Sequence, residues 1–302
     1  LTDFNRAGDR FVDAIGELAD SGKEVLILDW LHRTALGIIC RVAYGKDLDV
    51  FGEKSPFNDA VNDFTTVFGE TFRDPLMQIP FFAGKGRVDK FRNAINFVKS
   101  EGRRWTKERE EARRNEEYVP DDILNSTLDI KERGIYDETD DPMDDFITFF
   151  LAGHETTANT MSFALLEASR NPDVLRRMHE EVEEVLGQKP HISNEDIGKL
   201  PYLNNVWKEA LRKFPVAGAI FRQVNTDDFK IDGRLIPKGA TVVPSQYVSS
   251  RMPENCPDPE VFNPDRFSPD NPDRPATYTY FPFSLGPRNC IGQNFAQLEG
   301  MV

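Results

Sequence analysis

The chain has 302 residues, 39% hydrophobic and 29% charged, the balance of a globular protein and not of a disordered or fibrous one. A formal net charge of -14 excludes a surface built throughout for nucleic acid or anionic lipid, and leaves room only for a local basic patch facing an acidic partner. Cys40, Cys256 and Cys290 are odd in number and far apart, which excludes a disulfide framework and fits a reducing compartment.

From the start to about residue 131 the apolar spacing predicts helices. Phe11, Ile15, Leu18 and Ala19 share one face, and Leu31, Ala35, Ile38, Ile39 and Val42 make a second stripe, opened by Asp29 as a cap and stopped near Gly45. Ser55-Pro56 is an N-cap and first-turn pair for Phe57, Val61, Phe64, Phe68 and Phe72. Val88, Phe91, Ile95, Val98 and Trp105 lead into a charge run over 103–117, which reads as a solvated helix face. Ala83-Gly-Lys-Gly86 lacks the spacing of a phosphate loop. Asn125-Ser126-Thr127 matches a glycosylation triplet, one of the kind that arises by chance. Residues 131–142 read as an acidic surface loop.

A long helix is expected from Met143 to about Arg170. It is apolar on almost every side, so it should run through the middle of the protein. The densest apolar run, 146–152, is far too short to span a membrane. In mid-helix stands Ala152-Gly153-His154-Glu155-Thr156-Thr157, where a glycine, two threonines and a charge all break helix preference. Either Thr156 bonds back to a carbonyl one turn earlier and bends the helix, or the cluster is a site. His154-Glu155 begins the zinc-protease pattern H-E-x-x-H, but Ala158 stands where the second ligand belongs, so that chemistry is excluded.

Asn171-Pro172 ends this helix and starts another, with the stripe Val174, Leu175, Met178, Val182, Val185 and Leu186, ended by Gly187. A further helix over about 202–214 turns Leu203, Val206, Trp207, Ala210, Leu211 and Phe214 inward. Glu209 and Arg212 then fall together on the opposite side, by default as an exposed pair. After Pro215, residues 229–231 and 234–236 flank Asp232-Gly233 as a hairpin, and 241–243 form another strand. Nine of the 20 prolines fall between Pro253 and Pro287, and the aromatics among them favour an ordered, packed coil. His179 and His191 sit in surface-like contexts and are assigned no role.

Cys290 stands in a loop turned by Gly286 and Pro287, just before a helical stretch from Gln293, with Arg288 two residues away. The dipole of that helix and the cation both favour a thiolate, although a buried small hydrophobe is the plain alternative. One thiolate with no second Cys or His nearby suits an iron whose other ligands come from a porphyrin.

Phe283, Gly286, Arg288, Cys290 and Gly292 match Phe-x-x-Gly-x-Arg-x-Cys-x-Gly at every fixed position, which resembles the haem loop of the cytochrome P450 family. Ala152-Gly153-His154-Glu155-Thr156 resembles the same family's oxygen-binding helix motif, and Glu209-x-x-Arg212 with Pro264-Asp265-Arg266-Phe267 resembles its buried ion-pair lock. The resemblance implies the mainly α cytochrome P450 fold with small β-sheets, a single domain over 1–302 truncated at both ends, lacking the first sheet and the early haem-contacting helix. It implies haem b on Cys290, held also by Phe283, Gly286, Ala152 and propionate pairing from Arg288 and Arg222, with Glu155 and Thr156 relaying protons to bound O2. Hydroxylation of an unactivated C–H bond follows, with electrons from NADPH-cytochrome P450 reductase. Residues 217–221 should then be a cavity-lining strand.

The phenylalanine-rich motifs look most like the animal cholesterol 24-hydroxylase branch, which implies a sterol. Gly218 departs from the bulky aromatic expected in that branch. Placement on the cytoplasmic face of the endoplasmic reticulum, through an anchor outside this stretch, is a further implication. Fatty-acid or xenobiotic oxidation, an isomerase or peroxygenase, and a haem sensor are the alternatives.

Overall fold

The computed structural model describes residues 1–19, 21–52, 55–74, 84–137 and 140–302, the side chains of Phe72 and Arg73 excepted. It is mainly helical with two small antiparallel sheets. Contacts gather the chain into two units, residues 2–158 and residues 159–302 with Leu1.

The first unit holds α1 (Thr2–Ala19), α2 (Ile27–Tyr44), α3 (Pro56–Arg73), α4 (Lys85–Arg114), α5 (Ile123–Glu132) and the first part of α6 (Pro142–Arg170). Leu31, Ala35, Ile38 and Ile39 of α2 are buried as their spacing predicts, and Gly45 ends the helix in the left-handed region at φ 66°. The start differs from expectation: α2 begins at Ile27, so Asp29 lies in the first turn, where its charge favours the helix dipole without capping it. Ser55 does cap α3, its hydroxyl accepting from the Asn58 amide at 3.3 Å.

Tyr44, Phe57, Trp105, Phe146 and Phe150 form one aromatic core, with ring centroids 4.5–6.5 Å apart. Tyr44 also donates its hydroxyl to the Phe146 carbonyl at 3.2 Å. The stripe on α3 fades outward: Phe57 and Val61 are buried but Phe68 is exposed. Ala19 on α1 is likewise exposed.

The charge run contains a surprise. Arg109 is buried and makes a two-pronged pair with Asp122, both bonds 2.8 Å, while reaching the Tyr44 and Pro120 carbonyls. Asp122 in turn caps α5 through the Asn125 amide at 2.9 Å. Asn125 lies within that helix with its side chain accepting from Arg113 at 2.8 Å, so the glycosylation triplet is not an open loop. The stretch from Ala83, rejected as a phosphate loop, begins outside the described residues.

The second unit holds the rest of α6, then α7 (Pro172–Leu186), α8 (Asn194–Ile197), α9 (Pro201–Lys213), α10 (Gln246–Ser249), a tight turn of helix at Pro264–Phe267 and α11 (Gln293–Met301). The long helix is not buried all round, since Leu165 and Leu166 are exposed; Leu175 on α7 is exposed too. Val174, Tyr202, Val206, Ala210 and Phe262 form one core cluster, and Ile192, Leu200 and Met301 another. Glu181 on α7 accepts from the Tyr202 and Leu203 amides, each at 2.8 Å, and so caps the start of α9 from a neighbouring helix. A side chain at Gly300 would overlap the Trp207 ring, which fixes how closely α11 lies on α9.

Strands β2 (Lys230–Ile231) and β3 (Arg234–Leu235) form the expected hairpin, with Asp232 at φ 48° and Gly233 at φ 76° turning it. Strands β1 (Arg222–Gln223) and β4 (Thr241–Val242) pair antiparallel. Residues 217–221 are not a strand, contrary to expectation; only the Ile220 amide, bonding the Pro244 carbonyl at 2.9 Å, approaches the ladder.

Candidate functional site

Around Cys290 the backbone folds on itself three times. The Ser284 amide donates to the Phe281 carbonyl at 2.9 Å, Asn289 to Gly286 at 3.1 Å, and Cys290 to Phe283 at 2.8 Å. Two residues take left-handed φ to permit this, Gly286 at 80° and Ser284 at 63°. The loop starts from fixed points: buried Gln246 accepts from the Phe281 amide, and Tyr280 donates its hydroxyl to the Lys208 carbonyl at 3.1 Å. Neither anchor was visible in the sequence, because each reaches over 30 residues.

The loop presents the Cys290 thiol to solvent, whereas Cys40 and Cys256 are buried. Gly292, the N-cap of α11, sits beside the sulfur; a Cβ there would lie 3.9 Å from it. The plain alternative, a buried hydrophobic cysteine, is therefore not what the fold builds. Leu285 and Ile291 of the same loop are exposed, Ile291 at 86%, and Phe221 is exposed at 63%. Arg288 and Arg222 are exposed guanidiniums of the same unit, Arg222 donating to the Phe221 carbonyl at 3.0 Å and to the Ser284 hydroxyl at 3.2 Å. Phe283 is half-buried. An outward thiol, apolar neighbours and two guanidiniums suit a flat apolar group that carries carboxylates. Among the described residues no cluster of three or more His, Cys, Asp or Glu could cage a metal.

The predicted lock is buried, not exposed as the default spacing rule has it. Glu209 and Arg212 are each 0% exposed and joined by bonds of 2.6 and 2.8 Å. Arg266 stands 3.5 Å from the Glu209 carboxylate and donates to the Pro257 carbonyl at 2.8 Å. Glu209 also accepts from the Asn263 amide, and Arg212 donates to the Ser250 carbonyl.

Glu155, Thr156 and Ala152 belong to the first unit, on α6. Ala152 and Thr156 are exposed on one face, and the Thr156 hydroxyl donates to the Ala152 carbonyl at 2.8 Å. In that back-bond the hydroxyl is the donor, so the bond and a site role do not exclude each other. Gly153 has a packing reason: a Cβ there would meet the Ile39 side chain at 2.9 Å, so it lets α2 and α6 close up. Burial pushes the Glu155 carboxyl up from the usual range. His154 is buried, its Nδ1 2.7 Å from the Phe150 carbonyl, which makes that nitrogen the protonated one. Burial brings its pKa down to about 4.

The family model for Cytochrome P450 matches residues 3–302. The chain belongs to the cytochrome P450 family. Its relatives include Cytochrome P450 4d2 of Drosophila melanogaster, 32% identical across 98% of this chain and 63% of that protein. Cytochrome P450 3A16 of Mus musculus is 30% identical across 97% and 60%. Cytochrome P450 4V2 of Mus musculus is 39% identical over 59% of this chain and 34% of its own length. None of these three names carries a sterol. The chain spans about three-fifths of the length of the curated P450 relatives it matches from end to end. Haem b ligated by a cysteine thiolate is the cofactor of this P450 family, and the exposed Cys290 loop fits it.

Proposed function

We infer that this chain carries the haem-thiolate centre of a monooxygenase that hydroxylates an unactivated C–H bond of an apolar substrate, using O2 and electrons from NADPH-cytochrome P450 reductase. The observation that carries this reading is the thiol of Cys290, held outward by a loop with three internal hydrogen bonds. When bound there, haem with an anionic sulfur supplies oxygen activation in place of reversible oxygen binding. The chain's own residues do the rest. Cys290 donates the sulfur, Arg288 and Arg222 pair with the haem carboxylates, and Phe283 and Gly286 shape the loop. Ala152 would leave room on its helix face, and Glu155, whose burial favours the protonated form, would hold a proton for Thr156 to pass on.

Among apolar substrates a sterol is favoured, because the phenylalanine-rich motifs look like the cholesterol 24-hydroxylase branch. Gly218 would then change which carbon is presented. The same resemblance places the whole protein on the cytoplasmic face of the endoplasmic reticulum; no described helix is long and apolar enough to cross a membrane.

The test is a spectrum of the haem-loaded chain, reduced and treated with carbon monoxide. The parent should show the thiolate-type Soret band and Cys290→Ser should lose it; a band that survives the substitution overturns the reading. Turnover of cholesterol against a fatty acid, with product analysis, decides the substrate.

A further inference from the structure

The cysteine loop contains a residue that local preference argues against. Ser284 sits at φ 63°, a left-handed conformation that glycine adopts freely and serine does not. A loop selected for conformation alone would carry glycine there, as it does two residues later at Gly286, φ 80°. What serine adds is a hydroxyl, and that hydroxyl accepts from Arg222 at 3.2 Å. Arg222 is itself fixed: it lies in β1, paired with Val242 of β4, and its other terminal nitrogen donates to the Phe221 carbonyl at 3.0 Å.

The bond therefore ties the glycine-turned loop to a strand 62 residues away in sequence. Its position in the loop matters. Ser284 follows Phe283, whose carbonyl receives the Cys290 amide, so the backbone angles at Ser284 help aim the group that holds the cysteine.

We propose that Ser284 and Arg222 form a positioning pair that holds the Cys290 loop in its ligating shape. Neither touches the reacting atoms. Arg222 keeps further N–H donors beyond the two in use, so a carboxylate bound there is coupled through Ser284 to the loop that aims the thiol. This deepens the haem-thiolate reading and rests on it.

Two measurements test the pair. In the haem-free chain Cys290 is the exposed cysteine, so its rate of modification by a maleimide reports the loop. Ser284→Ala and Arg222→Gln should each change that rate several-fold, and the double variant no more than either alone. In the haem-loaded chain both should convert much of the thiolate-type reduced-carbonyl band to the neutral-thiol type. Ser284→Gly removes the hydroxyl while relieving the backbone, so it separates the bond from the conformation. The pair predicts a shift in both readouts for Ser284→Gly, and recovery in Ser284→Asn, which tolerates the left-handed region and offers an acceptor. If Ser284→Gly behaves as the parent in both, the proposal is overturned. If the parent itself lacks the thiolate-type band, the haem reading fails, while maleimide labelling still decides whether the two residues hold the loop.

Discussion

Two buried ion clusters use the same chemistry for different reach. Arg109 and Asp122 lie 13 residues apart and fasten the end of α2, the turn before α5 and the α5 cap to one another. Glu209 and Arg212 lie three apart on α9, but their remaining bonds go to Ser250, Val261 and Asn263, and Arg266 joins them. The first cluster secures a corner between helices that have packed faces of their own. The second gives backbone partners to a proline-rich coil that leads to the cysteine loop and has little regular structure to satisfy it. A buried pair is a poor source of net stability, yet removing one partner is expensive because the other charge stays buried. How much is lost should follow how many groups are orphaned.

The largest expected effect is therefore Glu209→Gln. It leaves Arg212 and Arg266 without a counter-charge, and roughly 5 kcal/mol of unfolding free energy should go in urea titration, with haem retention lost too. Arg109→Leu should remove about 3 kcal/mol, the lower end, because Asp122 keeps the Asn125 amide as a partner; haem binding should persist.

A titration sharpens the contrast between paired charge and buried neutral polarity. His154 has its folded pKa lowered from 6.5 to about 4, so between those values the unfolded chain binds the extra proton. Stability is full above the upper value and falls as pH drops through the window, by about 3 kcal/mol in all. His32, whose ring centroid is 6.1 Å from that of His154, is lowered in the same sense, with Asp29 opposing. Glu155, raised by burial, acts in the opposite sense as pH rises above its ordinary range. His154→Gln should flatten most of the acid slope in stability measured against pH; an unchanged slope would assign it elsewhere.

Smaller effects close the series. Ser55→Ala should cost about 1 kcal/mol through the lost cap of α3. Arg92→Ala, breaking an exposed i,i+3 pair with Asp89, should cost less than about 0.5 kcal/mol in the same titration.

What could be read in advance was local. The Ser55-Pro56 cap, the Asp232-Gly233 hairpin and the turns of the cysteine loop are written in neighbouring residues. Glu209 and Arg212 were placed by resemblance, while spacing alone left them on the surface. Arg109 was lost among the charges of 103–117, because its partner lies beyond the end of that helix. The strand expected over 217–221 failed for a related reason: the ladder with β4 takes up only Arg222 and Gln223, just beyond it, and no side-chain alternation reports that. Ser284 gave no signal, since a strained φ is a property of the folded loop.

The double cap that Glu181 supplies to Tyr202 and Leu203 bears on the order of assembly. The first turn of α9 has no capping side chain of its own, so a nascent chain that has made α9 but not yet laid α7 beside it should fray there. Docking of α7 would come early, and the coil that hangs from α9 would settle only afterwards.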